Sequence, residues 1–173
     1  MAKNIIFIPC VPSKHLSDVD DYKEVSLNTW RHYANRIGAE LMIMDTPLRN
    51  PDEMKITWQR WYVHDILESN NVEYDNIFMV DVDTMIHWNA PNIFEECANG
   101  KFRACVDNDN LGWLKESIEG YQHMFPDTRV DWETYFNCGI ILMNKGHKDL
   151  CKTVTSFYET NEQQILDLQH TTL

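Results

Sequence analysis

The chain lacks several features, and each absence narrows what it is. It has no Cys-x-x-Cys pair: Cys10, Cys97, Cys105, Cys138 and Cys151 stand apart, and their number is odd. That spacing argues against a zinc ribbon and against a disulfide scaffold. It leaves most of them as small buried thiols in a reducing compartment. No apolar run is long enough to cross a bilayer, although contact with a membrane surface stays open. The start, Met1-Ala2-Lys3-Asn4, lacks the pattern of a secretion signal. A soluble, cytoplasmic protein is expected. Positive charge is scarce: 15 Lys and Arg face 27 Asp and Glu, for a formal net charge of −12. A phosphate backbone needs a basic footprint, so nucleic acid is not the expected partner. No internal repeat and no low-complexity tract is visible.

What is present suits one globular domain over residues 1–173, long enough for a sizeable core. Lys3 to Pro9 reads as a buried strand, stopped by Pro9 and Pro12. Ser13 to Asp21 reads as polar loop. Glu24 to Ile37 reads as a helix, with Val25, Leu27, Trp30, Tyr33, Ala34 and Ile37 recurring at helical spacing and Gly38 as its stop. Ala39 to Met44 is a second strand, Thr57 to Leu67 a second helix, and Ile77 to Val80 a third strand. A short helix begins near Asn89 and ends at Asn99-Gly100. Lys101 to Val106 and Phe136 to Met143 are further strands, Asn108 to Asp131 an irregular aromatic-rich segment, and Thr153 to Leu168 an amphipathic helix. Strands alternating with helices predict an α/β fold with an open, mostly parallel sheet.

Most of the chemistry concentrates in Tyr74-Asp75-Asn76-Ile77-Phe78-Met79-Val80-Asp81-Val82-Asp83-Thr84-Met85-Ile86. Side chains at i and i+2 of an extended chain point the same way. Asp81 and Asp83 are therefore expected to offer oxygen ligands to one Mg²⁺ or Mn²⁺ at a strand's carboxyl end, where open α/β sheets place their ligands. A diphosphate-bearing substrate is the natural partner. Asp-x-Asp also occurs as Asp18-Val19-Asp20, with no strand before it, and as Asp107-Asn108-Asp109, which follows a plausible strand. Only Asp81-Asp83 has apolar residues on both sides, where carboxylates are costly unless compensated.

Taken in order, these residues resemble the metal-dependent nucleotide-sugar glycosyltransferases of GT-A fold, and within them the glycogenin-like and galactosyltransferase groups that retain anomeric configuration. Asn28-Thr29-Trp30-Arg31-His32-Tyr33-Ala34-Asn35-Arg36-Ile37-Gly38 is similar to the family's first helix. Trp58-Gln59-Arg60 stands where the family has a basic residue before the metal strand, and Tyr74 to Ile86 resembles its Asp-x-Asp strand. Phe136-Asn137-Cys138-Gly139 resembles its Phe-Asn-Ser/Ala-Gly strand, and Glu162-Gln163-Gln164-Ile165-Leu166-Asp167 its Asp-Gln-x-x-Leu-Asn segment. The resemblance implies transfer of a hexose from a nucleoside diphosphate sugar, with UDP-sugar the expected donor, to a glycan or other acceptor hydroxyl, using Mn²⁺ or Mg²⁺. It implies retention. Homo-oligomer formation stays open.

The family usually supplies a further His ligand downstream of the Gln segment, in a His-x-x-Gly-x-x-Lys-Pro-Trp-like stretch. His170 comes early for that role and Leu173 is the last residue given. Three expectations follow: a minimal enzyme, a truncated product, or a degenerate domain that binds nucleotide-sugar without transferring it. A phosphohydrolase of the haloacid-dehalogenase type also uses a strand and Asp-x-Asp, but Met85 stands where it wants Thr or Val.

Individual roles are expected as follows. Asp83 is the principal metal ligand. Asp81 binds metal directly or through water, or takes the ribose hydroxyls, and Val82 lies between them against the donor. Arg60 complements the diphosphate or lies on a solvated helix face. The Pro9 to Ser13 loop, with Cys10, faces the nucleotide. Asn137, Cys138 and Gly139 lie beside the sugar or form a bulge in a core strand. Gln163 and Asn137 are the candidates nearest the reacting carbon. Trp113 to Trp132 is a candidate acceptor segment, and Asp107, Asp131 or Glu133 is the base an inverting reaction would need. His64 reads as a packing residue, and His87 as a neighbour of the metal ligands.

Overall fold

The computed structural model describes residues 3–12, 19–95, 100–107 and 110–171, with backbone only at 19–21 and 169–171. Five strands form one sheet in the order β2-β1-β3-β5-β4. They are β1 (Asn4–Pro9), β2 (Glu40–Met44), β3 (Asn76–Val80), β4 (Arg103–Val106) and β5 (Phe136–Asn144). β1 pairs in parallel with β2 and β3, while β5 runs antiparallel to both β3 and β4. The sheet is thus mixed. The expected mostly parallel sheet holds for all strands but β5, which enters between β3 and β4 from the opposite end.

Alternation along the strands divides the core between two faces. Ile6, Ile8, Phe78, Val80 and Leu142 pack beneath α1 (Val19–Ile37), against Leu27, Trp30, Tyr33 and Ala34. Ile5, Phe7, Ile77, Met79, Ile141 and Met143 pack on the other face, against Trp61, Val63, Leu67 and Cys151. These last residues come from α3 (Val63–Ser69), the turn before it, and α5 (Lys148–Thr171). A smaller cluster of Met54, Tyr158 and Ile165 ties the second half of α5 to the loop before α2 (Ile56–Gln59).

The elements differ from the sequence reading in five places, the simplest being α5, which starts at Lys148 and not at Thr153. α1 starts at Val19, within the segment expected to be polar loop, and Ser13 to Asp18 lie outside the described residues. The second helix is broken: a 3-10 turn, Arg60–Tyr62, separates α2 from α3 and turns Arg60 and Trp61 inward. The stretch expected to be irregular contains α4 (Leu111–Gln122), whose first turn is capped by the Asn110 side chain accepting from the Gly112 and Trp113 N–H groups. Only a 3-10 turn, Ile93–Glu95, stands for the short helix after Asn89, and residues 96–99, with Cys97, lie outside the description.

The fold also brings several loops to one edge. β3 and β4 both run against β5, so their carboxyl ends meet the amino end of β5. Asp81, the start of α4, the 3-10 turn Trp132–Thr134 and Phe136 to Gly139 therefore share one edge of the sheet.

Candidate functional site

Asp81 and Asp83 sit on a β-turn, not on an extended strand. β3 ends at Val80, and the Thr84 N–H and Oγ1 donate to the Asp81 carbonyl at 3.2 and 2.5 Å. The same-side argument from strand alternation therefore does not apply. Val82 turns into the core, and Asp83 is exposed. α1 fastens the far side of this turn. The Thr84 carbonyl accepts from Ser26 Oγ at 2.6 Å and Trp30 Nε1 at 3.0 Å, and the Ile86 N–H donates to Thr29 Oγ1 at 3.2 Å.

β5 is irregular opposite Asp81. Its pairing with β4 jumps from Ala104–Ile141 to Cys105–Asn137, so Cys138, Gly139 and Ile140 have no partner on β4. On the other side the Asp81 N–H still donates to the Gly139 carbonyl at 2.8 Å. The Asn137 side chain folds back to accept from the Gly139 N–H at 2.5 Å. Gly139 is required here for space. A Cβ on it would lie 2.4 Å from Asp81 Oδ2 and 2.7 Å from Asn137 Oδ1. The bulge and the site are thus one feature, with the backbone brought against a carboxylate.

Arg60 closes the arrangement from the opposite side. The residue is 4% exposed. Its Nη2 donates to Asp81 Oδ1, and its Nη1 donates to the Cys138 carbonyl at 2.7 Å. Its Nε has no hydrogen-bond partner among the described residues. Arg60 is therefore not on a solvated helix face; the 3-10 turn buries it. Burial raises the Cys138 thiol, with Arg60 opposing that shift, so Cys138 is a neutral thiol at physiological pH.

The other candidates are placed as follows. The Cys10 side chain is fully buried with Ile6, Ile8 and Val80, and its N–H donates to the Met44 carbonyl at 2.8 Å, so its thiol does not face a nucleotide. Ser13, at the end of that loop, lies outside the described residues. Gln163 is exposed on α5, and its Nε2 donates to Asp167 Oδ1 one turn on, at 2.9 Å. No contact draws it to Asp81. Asp131 caps the Trp132–Thr134 turn by accepting from the Glu133 N–H, and the Asp107 N–H donates to the Tyr135 carbonyl at 2.9 Å. Asp18, Asn108 and Asp109 lie outside the described residues, as do the side chains of Asp20 and His170.

The edge next to β5 and β4 is aromatic and open. Trp113 is 52% exposed and Trp132 54%, with Phe136 beside them in sequence and on the same edge. His87 leans on exposed Trp88, and its Nδ1 accepts from the Asn89 N–H at 3.2 Å. His64 lies at the far end of the sheet, where its Nδ1 pairs with the Tyr74 hydroxyl at 2.9 Å. Burial pushes its pKa down to about 4.

Asp81 and Asp83 bear on a divalent cation as follows. Among the described residues, no three His, Cys, Asp or Glu side chains gather around one point. Hard cations of the Mg²⁺ class need no such cage. They bind through one or two carboxylates with water and substrate phosphates. The two carboxylates fit that pattern, with one oxygen of Asp81 already engaged by Arg60. Sequence reasoning missed Ser26 and Trp30, which hold the turn, because nothing in a helix's own pattern marks a contact to a distant carbonyl.

Comparison with solved structures gives glycosyltransferases. One is a glycosyltransferase involved in the glycosylation of the major capsid of PBCV-1, with a TM-score of 0.57 and 14% identity, covering 90% of this chain and 66% of that one. Another is mouse xyloside xylosyltransferase 1 in its apo form, with a TM-score of 0.53 and 13% identity, covering 97% of this chain and 76% of that one. This chain thus spans somewhat less than two thirds of the first neighbour's length. No protein-family model and no curated protein matches it. At such identities the likeness is one of fold: an α/β, GT-A-like open sheet flanked by helices.

Proposed function

We propose that this chain is a glycosyltransferase domain that moves a hexose from a nucleoside diphosphate sugar, with UDP as the expected nucleotide, to an acceptor hydroxyl. The observation that carries the reading is the Asp81-Val82-Asp83 turn at the carboxyl end of β3, with Gly139 of the neighbouring strand pressed against the Asp81 carboxylate. That edge is where an open α/β sheet receives its ligand. The fold neighbours support the reading by being glycosyltransferases.

In this reading Asp83, exposed at the tip of the turn, and the exposed face of Asp81 would hold Mn²⁺ or Mg²⁺. When bound, the cation supplies charge neutralisation for the departing diphosphate. Ser26, Thr29 and Trp30 keep the turn in place, so its carboxylates need not be ordered at each turnover. Gly139 leaves room for the Asp81 carboxylate itself, and Asn137, whose Oδ1 accepts from the Gly139 N–H, keeps its amide NH₂ for the donor. The open aromatic edge of Trp113, Trp132 and Phe136 receives the acceptor, since indole faces stack on the C–H faces of sugars. Retention follows the family resemblance and has no geometric support in the contacts above.

A second reading, a domain that binds nucleotide-sugar without transferring it, is favoured by one observation. Gln163, expected to reach the reacting carbon, is bonded within its own helix. Turnover decides between the two. The protein is incubated with Mn²⁺ and a panel of nucleoside diphosphate sugars, and release of the nucleoside diphosphate is followed with and without saccharide acceptors. The proposal expects release from one donor, stimulated by an acceptor and lost in Asp83→Ala. Binding without release supports the second reading, and neither binding nor release refutes both.

A further inference from the structure

The buried cation at this site is itself part of the chain. Arg60 is fixed by the 3-10 turn between α2 and α3, and its two terminal nitrogens are spent on Asp81 and on the Cys138 carbonyl. A guanidinium stays charged in any protein environment, and its burial is tolerable only because a carboxylate answers it. Asp81 therefore serves Arg60 before it serves any ligand. Its side chain is still 34% exposed, so one face remains open on the solvent side.

A divalent cation at Asp81 and Asp83 would lie close to that guanidinium. Like charges a few ångströms apart repel, and they repel more strongly where protein replaces water around them. Asp81, Asp83 and Arg60 together leave the free site with one net negative charge. A divalent cation alone would turn it positive. A diphosphate turns it negative again and so offsets the repulsion between cation and guanidinium.

Resting on the donor-site reading above, we infer that Arg60 is a built-in counter-ion of Asp81 that opposes divalent cation binding until a diphosphate is present. Arg60 is thus a positioning residue. It holds Asp81 against β5 in the empty site and makes cation and nucleotide binding interdependent. Linkage requires the coupling to be mutual: nucleotide tightens cation binding by the same factor that cation tightens nucleotide binding.

The test measures Mn²⁺ binding directly, by the loss of the free-ion signal in electron paramagnetic resonance, with and without UDP. Wild type is expected to bind Mn²⁺ weakly alone and at least about tenfold more tightly with UDP, a factor within the usual range for coupled sites. Arg60→Met removes the charge at similar length. It is expected to bind Mn²⁺ alone at least about tenfold more tightly than wild type and to gain less from UDP. Adding Asp81→Asn to Arg60→Met is expected to abolish the gain. Arg60→Lys, with one point charge and no fork, is expected to fall between, and stands in if the Met variant does not fold. A folded Arg60→Met, or Arg60→Lys, that binds Mn²⁺ and responds to UDP as wild type does overturns the inference. Failure of the donor-site reading looks different: wild type takes no UDP under any condition, while the Arg60 variants still bind Mn²⁺ more tightly through Asp81.

Discussion

Replacing Asp81 is the obvious experiment on this site, and it is predicted to damage the fold as well as the function. Asp81→Ala leaves the Arg60 guanidinium, 4% exposed, without the one carboxylate that pairs with it among the described residues. Breaking a buried pair from one side costs roughly 3–5 kcal/mol. Asp81 is 34% exposed, so water softens the loss, and about 2–3 kcal/mol is expected. For a chain of this size that corresponds to a fall in Tm of about 4–12 °C. Asp83→Ala, at an exposed position in the same turn, should stay within about 0.5 kcal/mol of wild type. Urea unfolding of both variants, with Arg60→Met and the double variant Asp81→Ala/Arg60→Met, gives the coupling energy. It should exceed about 1 kcal/mol, the double variant being less destabilised than the sum of the singles. An Asp81→Ala protein as stable as Asp83→Ala, or a coupling near zero, would refute the reasoning. In that case the ion pair would not hold the site together.

Two further outcomes follow from the same geometry. Gly139→Ala places a methyl group 2.4 Å from Asp81 Oδ2 and must displace the carboxylate. It should cost about 1–3 kcal/mol by overpacking and weaken Mn²⁺-dependent UDP binding at least about tenfold, read by calorimetry; wild-type affinity in a folded variant contradicts it. His64 is held neutral by burial, with a pKa of about 4. The unfolded chain takes up a proton at His64 below about pH 6.5, so stability should fall as pH drops from about 6.5 to about 4, by about 3 kcal/mol in all. Urea midpoints across that range should fall less steeply in His64→Phe, and an unchanged slope excludes His64 as the cause.

The sheet was legible in the sequence because its strands are unbroken apolar runs. Ile5 to Ile8 and Ile77 to Val80 are buried on both faces and could be little else. The direction of β5 was not legible, since an apolar run reads the same whichever end it enters the sheet from. α4 was missed for a related reason. Its exposed Leu111 and Trp113 and its two glycines, Gly112 and Gly120, blur the helical period, and the capping Asn110 was the one local signal. The early start of α1 was not legible because Asp20, Asp21 and Lys23 read as polar loop and only Val19 and Tyr22 carry the helical spacing. Within the site, Asp-x-Asp and Gly139 were visible, each by a rule of its own. Their contact was not, because Asp81 and Gly139 meet only through the register of β3 on β5. Arg60 was found as a basic residue on a helix. Its burial depends on a 3-10 turn that no residue in Gln59-Arg60-Trp61 announces.

The central claim is that this turn is a cation-dependent nucleotide-sugar site. Calorimetric titration of UDP and of UDP-sugars into wild type and Asp83→Ala, each with and without Mn²⁺, tests it most directly. Asp83→Ala is the clean probe, because it leaves the Arg60–Asp81 pair intact. The account predicts binding by wild type that requires Mn²⁺ and disappears in an equally stable Asp83→Ala. Binding that survives in Asp83→Ala, or no binding by wild type in any condition, contradicts it.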